Sequence, residues 1–157
     1  MYLLVVDDDS VVRMTLRTAL MSDGHTVAIA ADGEVALATI ALNPVDLIIT
    51  DVYMPNIGGV QLRNLIREIP EKAQLPFLFI SGYDDSETVE AVKDTNLEGF
   101  FKKGGALTEL LAWVTYLTTP VHQRPPFQPG SHGRHENSRE PIYRRDSPTT
   151  QADGERS

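Results

Sequence analysis

Five polar residues, widely separated in the chain, stand at the ends of short apolar runs: Asp7, Asp8, Asp51, Ser81 and Lys103. Three carboxylates that meet near one point repel each other, so they need a cation to offset the repulsion. Oxygen-only ligands favour a hard ion, and a partly hydrated acidic pocket suits Mg²⁺. A divalent cation, an ammonium and a hydroxyl around one carboxylate are the parts of a phosphoryl-transfer site with that carboxylate as nucleophile.

Asp51 is the centre of this predicted site. The apolar run Leu47–Ile49 leads into it, and the turn sequence Pro-Asn-Ile-Gly-Gly at 55–59 follows. In an open parallel sheet, ligands collect outside the carboxyl ends of the strands, where this carboxylate would lie. This stretch alone leaves open a simpler interpretation, in which Asp51 only caps the next turn or helix.

The other residues also have ordinary structural interpretations. The run Asp7-Asp8-Asp9 could stabilise the start of a helix, although one cap needs only one acid. Ser81 could be a turn hydroxyl, and Lys103 could be a solvated base beside Lys102. If the site forms, the Lys103 ammonium would pair with Asp51 at rest, or with an anion placed there, and Ser81 would offer a hydroxyl donor.

Alternating strands and helices must position these residues. Continuous apolar runs predict buried strands, and apolar residues at helical spacing predict helices between them. The predicted strands cover 2–6, 26–30, 46–50, 76–80 and 99–101. The predicted helices run from 11 to the stop signal at 23–24, and over 34–42, 60–69, 84–96 and 107–117.

Five such alternations predict an α/β fold, a doubly wound five-stranded parallel sheet with helices on both faces. Right-handed crossovers restrict the topology. The strand order 2-1-3-4-5 would place the ends of strands 1, 3, 4 and 5, and therefore all five candidate residues, around one pocket.

Composition divides the chain. Its 157 residues, 41% of them hydrophobic, fit one domain with a remainder. Large apolar residues are nearly absent from 119–157, so we expect a folded domain over 1–118 and a disordered Pro-, Arg- and Ser-rich tail over 119–157. Histidines 122, 132 and 135 lie in this tail, and a solvated tail is favoured over a weak metal site because nothing fixes their geometry.

Several classes of protein are disfavoured. The chain has no cysteine, so it has no disulfide frame and no thiolate metal site. No apolar run approaches the roughly 20 residues that span a bilayer, and the N-terminus lacks the features of a signal peptide. We therefore expect a cytoplasmic protein without a membrane partner. Most of the net charge of −8 lies before residue 119, and an acidic domain is a poor nucleic-acid binder.

Residues 1 to about 118 resemble the receiver domain of bacterial two-component response regulators, the CheY-like fold. Asp7-Asp8 matches the acidic pair of that family, and Asp-Val-Tyr-Met-Pro, beginning at Asp51, matches its D-x-x-M-P phosphoacceptor motif. Ser81 and Lys103 follow Asp51 by 30 and 52 residues, which are the separations in the family's single-domain chemotaxis regulator. The run Gly-Phe-Phe-Lys-Lys at 99–103 matches the family's glycine–aromatic–x–x–lysine run.

The resemblance implies a phosphoryl-transfer role. Asp51 would accept a phosphoryl group from a phosphorylated histidine of a sensor histidine kinase or a histidine phosphotransfer protein, with Lys103 at the same site. Asp8, Asp51 and the backbone carbonyl of Tyr53 would coordinate Mg²⁺, and Asp7 would act through water.

The resemblance also implies an output. Ser81 and the family's switch aromatic, here Phe100, would change the face formed by the fourth predicted helix (84–96), the fifth strand and the fifth helix. That face would control a downstream partner protein. We expect no DNA-binding output domain, and no enzymatic activity beyond self-phosphorylation and autodephosphorylation.

One position departs from the family pattern. The family usually has a cis proline after the lysine, whereas this chain has Gly104 and then Gly105. A cis bond without proline costs about 2.5–4 kcal/mol, which leaves a trans Lys103–Gly104 bond open. Two glycines also increase local backbone freedom, so the position of Lys103 is less constrained than the motif suggests.

Other functions remain as alternatives. Within the receiver class, the chain could be a phosphorelay intermediate, a kinase-feedback regulator or a motility-type regulator. An aspartyl-phosphate phosphohydrolase resembles D-x-D-x-[TV], but Tyr53 stands where its second acid belongs. A flavin-binding electron carrier would need a hydroxyl- and glycine-rich phosphate loop after strand 1, where this chain has three aspartates.

Overall fold

Five parallel strands form one sheet in the order β2-β1-β3-β4-β5. The computed structural model describes residues 1–82, 90–126 and 128–130. The strands are β1 Tyr2–Val6, β2 Thr26–Ala30, β3 Leu47–Asp51, β4 Phe77–Ser81 and β5 Glu98–Lys102. The helices are α1 Ser10–Ser22, α2 Gly33–Leu42, α3 Gly59–Arg67 and α4 Leu107–Thr118, with short 3₁₀ turns at Pro70–Lys72 and Val121–Gln123. The predicted fold class and strand order are confirmed.

Helices cover both faces because each strand sends alternate side chains to opposite sides. Leu3 and Val5 of β1 face α1 and α4, in a cluster that includes Trp113. Leu4 and Val6 face the opposite way, into a cluster shared with α2 and α3. Burial on two faces explains why the strands read as continuous apolar runs rather than as alternating ones.

Local signals fix where the first helices begin and end. The carboxylate of Asp9 accepts the Val11 N–H at 2.9 Å and caps α1, and Asp32 caps α2 through the Val35 N–H at 2.9 Å. The chain leaves α1 through Gly24, whose φ of +94° favours glycine.

The helix predicted over 84–96 is wrong where the structure can test it. Residues 83–89 lie outside the described residues, and 90–96 form turns and irregular backbone. The buried Glu98 carboxylate accepts the Lys93 N–H at 2.8 Å, and Arg63 donates to the Ala91 carbonyl at 3.0 Å. In a continuous helix, both of these backbone groups would instead be bonded to groups four residues away in the same helix.

The chain divides into two units, the compact Met1–Arg124 and the remainder, Pro125–Ser157. The predicted disordered tail lies mostly outside the described residues and stays a prediction. Within the described ranges, no helix combines the length and the hydrophobicity that spanning a bilayer requires.

Arg124 ties the end of the first unit to its core. Its guanidinium donates to the carbonyls of Thr119 and Asn96, both at 2.8 Å, and lies 4.8 Å from the centre of the Tyr116 ring. A truncated protein that ends at Thr119 should therefore be less stable than one that ends at Arg124, by about 1–3 kcal/mol in urea unfolding. Equal stability of the two truncated proteins would mean that these contacts contribute nothing.

Candidate functional site

The carboxyl ends of four strands carry the candidate residues to one edge of the sheet. Asp7 directly follows β1, and its N–H donates to the Ala30 carbonyl of β2 at 3.1 Å. Asp51 is the last residue of β3 and Ser81 the last residue of β4. Lys103 directly follows β5, and its N–H donates to the Ser81 carbonyl at 2.8 Å. The parallel arrangement thus brings these residues to the same edge.

Three carboxylates converge there. Asp7, Asp8 and Asp51 each place an oxygen within 4.8 Å of the others. Asp7 is fully buried, Asp51 is 6% exposed, and Asp8 faces solvent. The cluster is therefore buried on two sides and open to solvent at Asp8.

Lys103 bridges the two buried acids. Its Nζ lies 2.8 Å from Oδ2 of Asp7 and 2.9 Å from Oδ2 of Asp51. The contact with Asp51 is a hydrogen bond, and Asp51 Oδ1 accepts the Tyr53 N–H at 3.3 Å. The contact with Asp7 has the distance of an ion pair without the alignment of a hydrogen bond. The sequence predicted a Lys103–Asp51 pair but not the second contact.

Burial and charge shift the ionisation of this pair. Burial raises the pKa of Asp51, the hydrogen bond from Lys103 opposes that change, and the negative charge of Asp7 adds to it, so that the pKa is raised overall. Burial lowers the pKa of Lys103, but its close contacts with the carboxylates of Asp7 and Asp51 and their negative charges outweigh burial and leave that pKa raised. Lys103 is therefore cationic throughout the neutral range.

The donor set fits a hard divalent cation. All three acidic side chains offer oxygen, and the buried Oδ2 of Asp7 has no aligned hydrogen bond among the described residues. A single ammonium also leaves the three carboxylates with excess negative charge. Oxygen ligands, a partly solvated mouth and uncompensated charge are what Mg²⁺ sites provide.

The three aspartates at 7–9, which we call the acidic turn, have different roles. Asp9 caps α1, and its N–H donates to Oδ1 of Asp7 at 2.9 Å. The ordinary capping role therefore falls to Asp9, which leaves the carboxylates of Asp7 and Asp8 directed to the site. Sequence reasoning had missed Arg13, whose Nη1 donates to the Asp7 backbone carbonyl at 2.7 Å.

Sequence reasoning also missed the part played by Gly59, the first residue of α3. A Cβ at this position would collide with the backbone carbonyl oxygen of Asp51 and come within 3.2 Å of Thr50 Cγ2. The Gly59 N–H donates to the Val52 carbonyl at 3.1 Å. The turn after β3 thus needs glycine for close backbone approach, and the paired glycines at 58–59 were the available signal.

The backbone after Lys103 is trans, since the described residues contain no cis peptide bond. Gly104 has φ of +84°, a conformation that favours glycine. The glycine that replaces the family's usual proline therefore allows the turn to form without a cis bond.

Phe100 and Ser81 occupy different environments. Ser81 is fully buried at the end of β4. Phe100 is half-buried on β5, packs against the cluster beneath α2 and α3, and pairs in register with Phe79 of β4. The structure describes Ser81 and Gly82, and the loop that follows lies outside its described residues.

Comparison with known sequences gives matches over the same region. The family model of the response regulator receiver domain matches residues 3–115. Response regulator MprA of Mycolicibacterium vanbaalenii is 36% identical over 121 residues, which are 75% of this chain and 52% of that protein. The gliding motility regulatory protein of Myxococcus xanthus is 33% identical over 109 residues, 69% of this chain and 14% of that protein. The chain thus spans about half the length of MprA.

Solved structures share the fold. The Vibrio cholerae chemotaxis protein CheY4 aligns with a TM-score of 0.68 and 28% identity, over 74% of this chain and 97% of that one. A response regulator receiver protein from Pseudomonas putida aligns with a TM-score of 0.67 and 32% identity, over 73% and 94%. Response regulator TrrA from Thermotoga maritima, in complex with Mg²⁺-BeF, aligns with a TM-score of 0.63 and 27% identity, over 74% and 97%.

Proposed function

The chain belongs to the response regulator receiver domain family, whose members are phosphorylation-switched modules of two-component signalling, and we propose that Asp51 is its phosphoacceptor. The observation that carries the proposal is the position of Lys103 Nζ, 2.8 Å from Asp7 and 2.9 Å from Asp51. A buried carboxylate at a strand end, beside a cation and a second acid, has the surroundings of a phosphoryl-transfer nucleophile.

The residues of the site would divide the chemistry between them. An oxygen of Asp51 attacks phosphorus, so that a P–O bond forms as the P–N bond to the donor histidine breaks. Lys103 offsets negative charge on the phosphoryl oxygens, and the Ser81 hydroxyl donates to one of them after attack. Slow hydrolysis of the acyl phosphate would then return the resting state.

A metal ion completes this site. Asp7, Asp8, Asp51 and the Tyr53 carbonyl would hold Mg²⁺, which neutralises phosphoryl charge when bound. The donor set supports this assignment, and so does the Mg²⁺-BeF complex of the similar Thermotoga protein.

The proposed donor is a sensor histidine kinase or a histidine phosphotransfer protein, in the same compartment as this chain. The recipient of the signal is a protein that docks on the output face, which we define as residues 90–97, β5 and α4. This face contains an irregular segment at 90–97 where the sequence had predicted the end of a fourth helix.

Phosphorylation with a small donor tests the proposal. Full-length protein incubated with acetyl phosphate and Mg²⁺ should gain one acid-stable, base-labile phosphoryl group by intact mass, and peptide mapping should place it on Asp51. A chelator should suppress the reaction. No incorporation, or incorporation at another residue, would refute the assignment.

A separate prediction concerns Phe100. When Ser81 moves toward the phosphoryl group it vacates space beside β4, and Phe100 can turn inward to fill it, which rearranges the output face. Phe100→Ala should therefore leave phosphorylation of Asp51 intact but lose the NMR shift changes that beryllofluoride causes along β5 and α4. Leu107→Ala, which removes a half-exposed side chain of α4, is the control. Undiminished changes in Phe100→Ala would show that Phe100 is ordinary core.

A further inference from the structure

Arg13, on the first turn of α1, contacts the backbone of the acidic turn and no carboxylate of the described residues. Its Nη1 donates to the Asp7 carbonyl oxygen at 2.7 Å, and the contact is partly buried. That oxygen belongs to the peptide unit that joins Asp7 to Asp8. Its orientation is coupled to ψ of Asp7 and φ of Asp8, because the Cα atoms of both residues lie in the plane of that peptide and the two side chains leave the backbone from those atoms.

We propose that Arg13 is a positioning residue that fixes the peptide between Asp7 and Asp8 so that both carboxylates meet at the cation site. This inference rests on the proposed function, because it assigns Arg13 a role in holding the metal ligands. It adds a residue outside the set of strand-end groups.

Two other hydrogen bonds hold the ends of the acidic turn but not the peptide between Asp7 and Asp8. The Asp7 N–H is bound by the Ala30 carbonyl at 3.1 Å, and the Asp9 N–H is bound by Asp7 Oδ1 at 2.9 Å. These bonds hold the start and the end of the turn. Arg13 holds the peptide between them, next to Asp8, which is the one acid of the cluster that faces solvent.

The helix itself gives no reason for an arginine here. A positive charge in the first turn interacts unfavourably with the helix dipole, which prefers acids at that end. The charge-assisted hydrogen bond to the turn offsets that cost. Lys103 contacts the Asp7 side chain from the end of β5 while Arg13 contacts its backbone from α1, so two cations hold Asp7 from different elements.

Magnesium titration by calorimetry on the full chain tests this role. Loss of a group that orients metal ligands typically weakens affinity 10- to 100-fold, so R13Q should bind Mg²⁺ about tenfold more weakly. R17Q, one turn further along α1, is the matched control: it removes the same charge, and Arg17 has no hydrogen bond or ion pair to the acidic turn within the described structure. R13K keeps the charge but not the planar guanidinium, and should recover only part of the affinity.

A second readout does not depend on the metal. Without Mg²⁺, the Asp8 and Asp9 amides should exchange with deuterium faster in R13Q than in R17Q, while the melting temperatures of the two variants stay similar. If R13Q melts below the assay temperature, R13K decides the matter by the same two measurements.

The role of Arg13 and the proposed function can fail independently of each other. Magnesium affinity and amide exchange in R13Q or R13K equal to those of R17Q would refute the role of Arg13 and leave the proposed function intact. Failure of the unmodified protein to bind Mg²⁺ would instead contradict the proposed function.

Discussion

Asp51→Asn should incorporate no phosphoryl group from acetyl phosphate, and its metal-free form should unfold at a higher temperature than the unmodified protein. Asparagine lacks the carboxylate oxygen that attacks phosphorus, so the loss of labelling should be complete. It also removes one of three converging negative charges from a site where burial already disfavours a charged group.

The gain in stability should depend on pH. Because the pKa of Asp51 is raised in the folded state above its ordinary value of 3.8, the folded protein binds the proton more tightly than the unfolded chain does. The unmodified protein therefore loses stability as the pH rises through the folded-state pKa. The advantage of Asp51→Asn should be full above the folded-state pKa of Asp51 and should shrink as the pH falls toward 3.8.

Asp46→Asn is the matched control, because it makes the same chemical change at the opposite end of β3. The Asp46 carboxylate accepts the Tyr2 N–H at 2.7 Å, and an amide oxygen can accept that bond as well. Asp46→Asn should label normally. Persistent labelling of Asp51→Asn would mean that another residue accepts the phosphoryl group, and a lower melting temperature would mean that the Lys103 contact outweighs the repulsion.

Glu98→Ala should lower the free energy of unfolding by about 3–5 kcal/mol, the usual cost of removing one partner from a buried ion pair. Glu98 is 2% exposed at the start of β5, and its carboxylate accepts from Arg63 at 2.6 Å and from Arg67 at 2.9 Å. Without it, two α3 guanidinium groups would remain beside the rings of Phe77 and Phe79 and would lose the carboxylate that pairs with both of them.

Urea unfolding of Glu98→Ala and of a double variant measures this effect. Arg63 is 4% exposed and Arg67 is partly solvated, so the unpaired Arg63 charge should account for most of the loss. Adding Arg63→Met to Glu98→Leu replaces the buried pair with apolar groups and should recover much of the stability. Glu109→Ala on α4 is a control for loss of charge alone. If Glu98→Ala lowers the free energy of unfolding by less than about 1 kcal/mol, these ion pairs contribute no more than ordinary surface pairs do.

Glu98, Arg63 and Arg67, which we call the Glu98 cluster, should also limit movement of the output face. Glu98 and Phe100 point to the same side of β5, where Phe77 and Phe79 are their partners in register on β4. The cluster fixes the backbone of 91–94 to α3, so we expect rearrangement of the face to be smaller there than near Ser81. Amide exchange on the beryllofluoride-activated protein would measure that gradient.

The sequence by itself determined the sheet and the edge at which the candidate residues meet. Apolar runs of strand length, separated by helical spacing, predict parallel strands, and parallel strands end at one edge whatever their side chains are. Asp7, Asp51, Ser81 and Lys103 each stand at such an end. Their proximity therefore follows from the common direction of the strands, which the alternation of strands and helices predicts, and from a strand order that crossover handedness restricts.

Only the tertiary structure decided which groups contact each other. Lys103 bridges Asp7 as well as Asp51, and Gly59 lies against the Asp51 carbonyl, because strand register and loop path bring distant backbone atoms within a few ångströms. At 90–96, the end of the predicted fourth helix, the chain forms turns and irregular backbone, and the Glu98 carboxylate accepts the Lys93 N–H from another element. Periodicity along the chain reports which face a residue occupies. It contains no information about a hydrogen bond to a residue on another element, since that contact depends on how the elements pack.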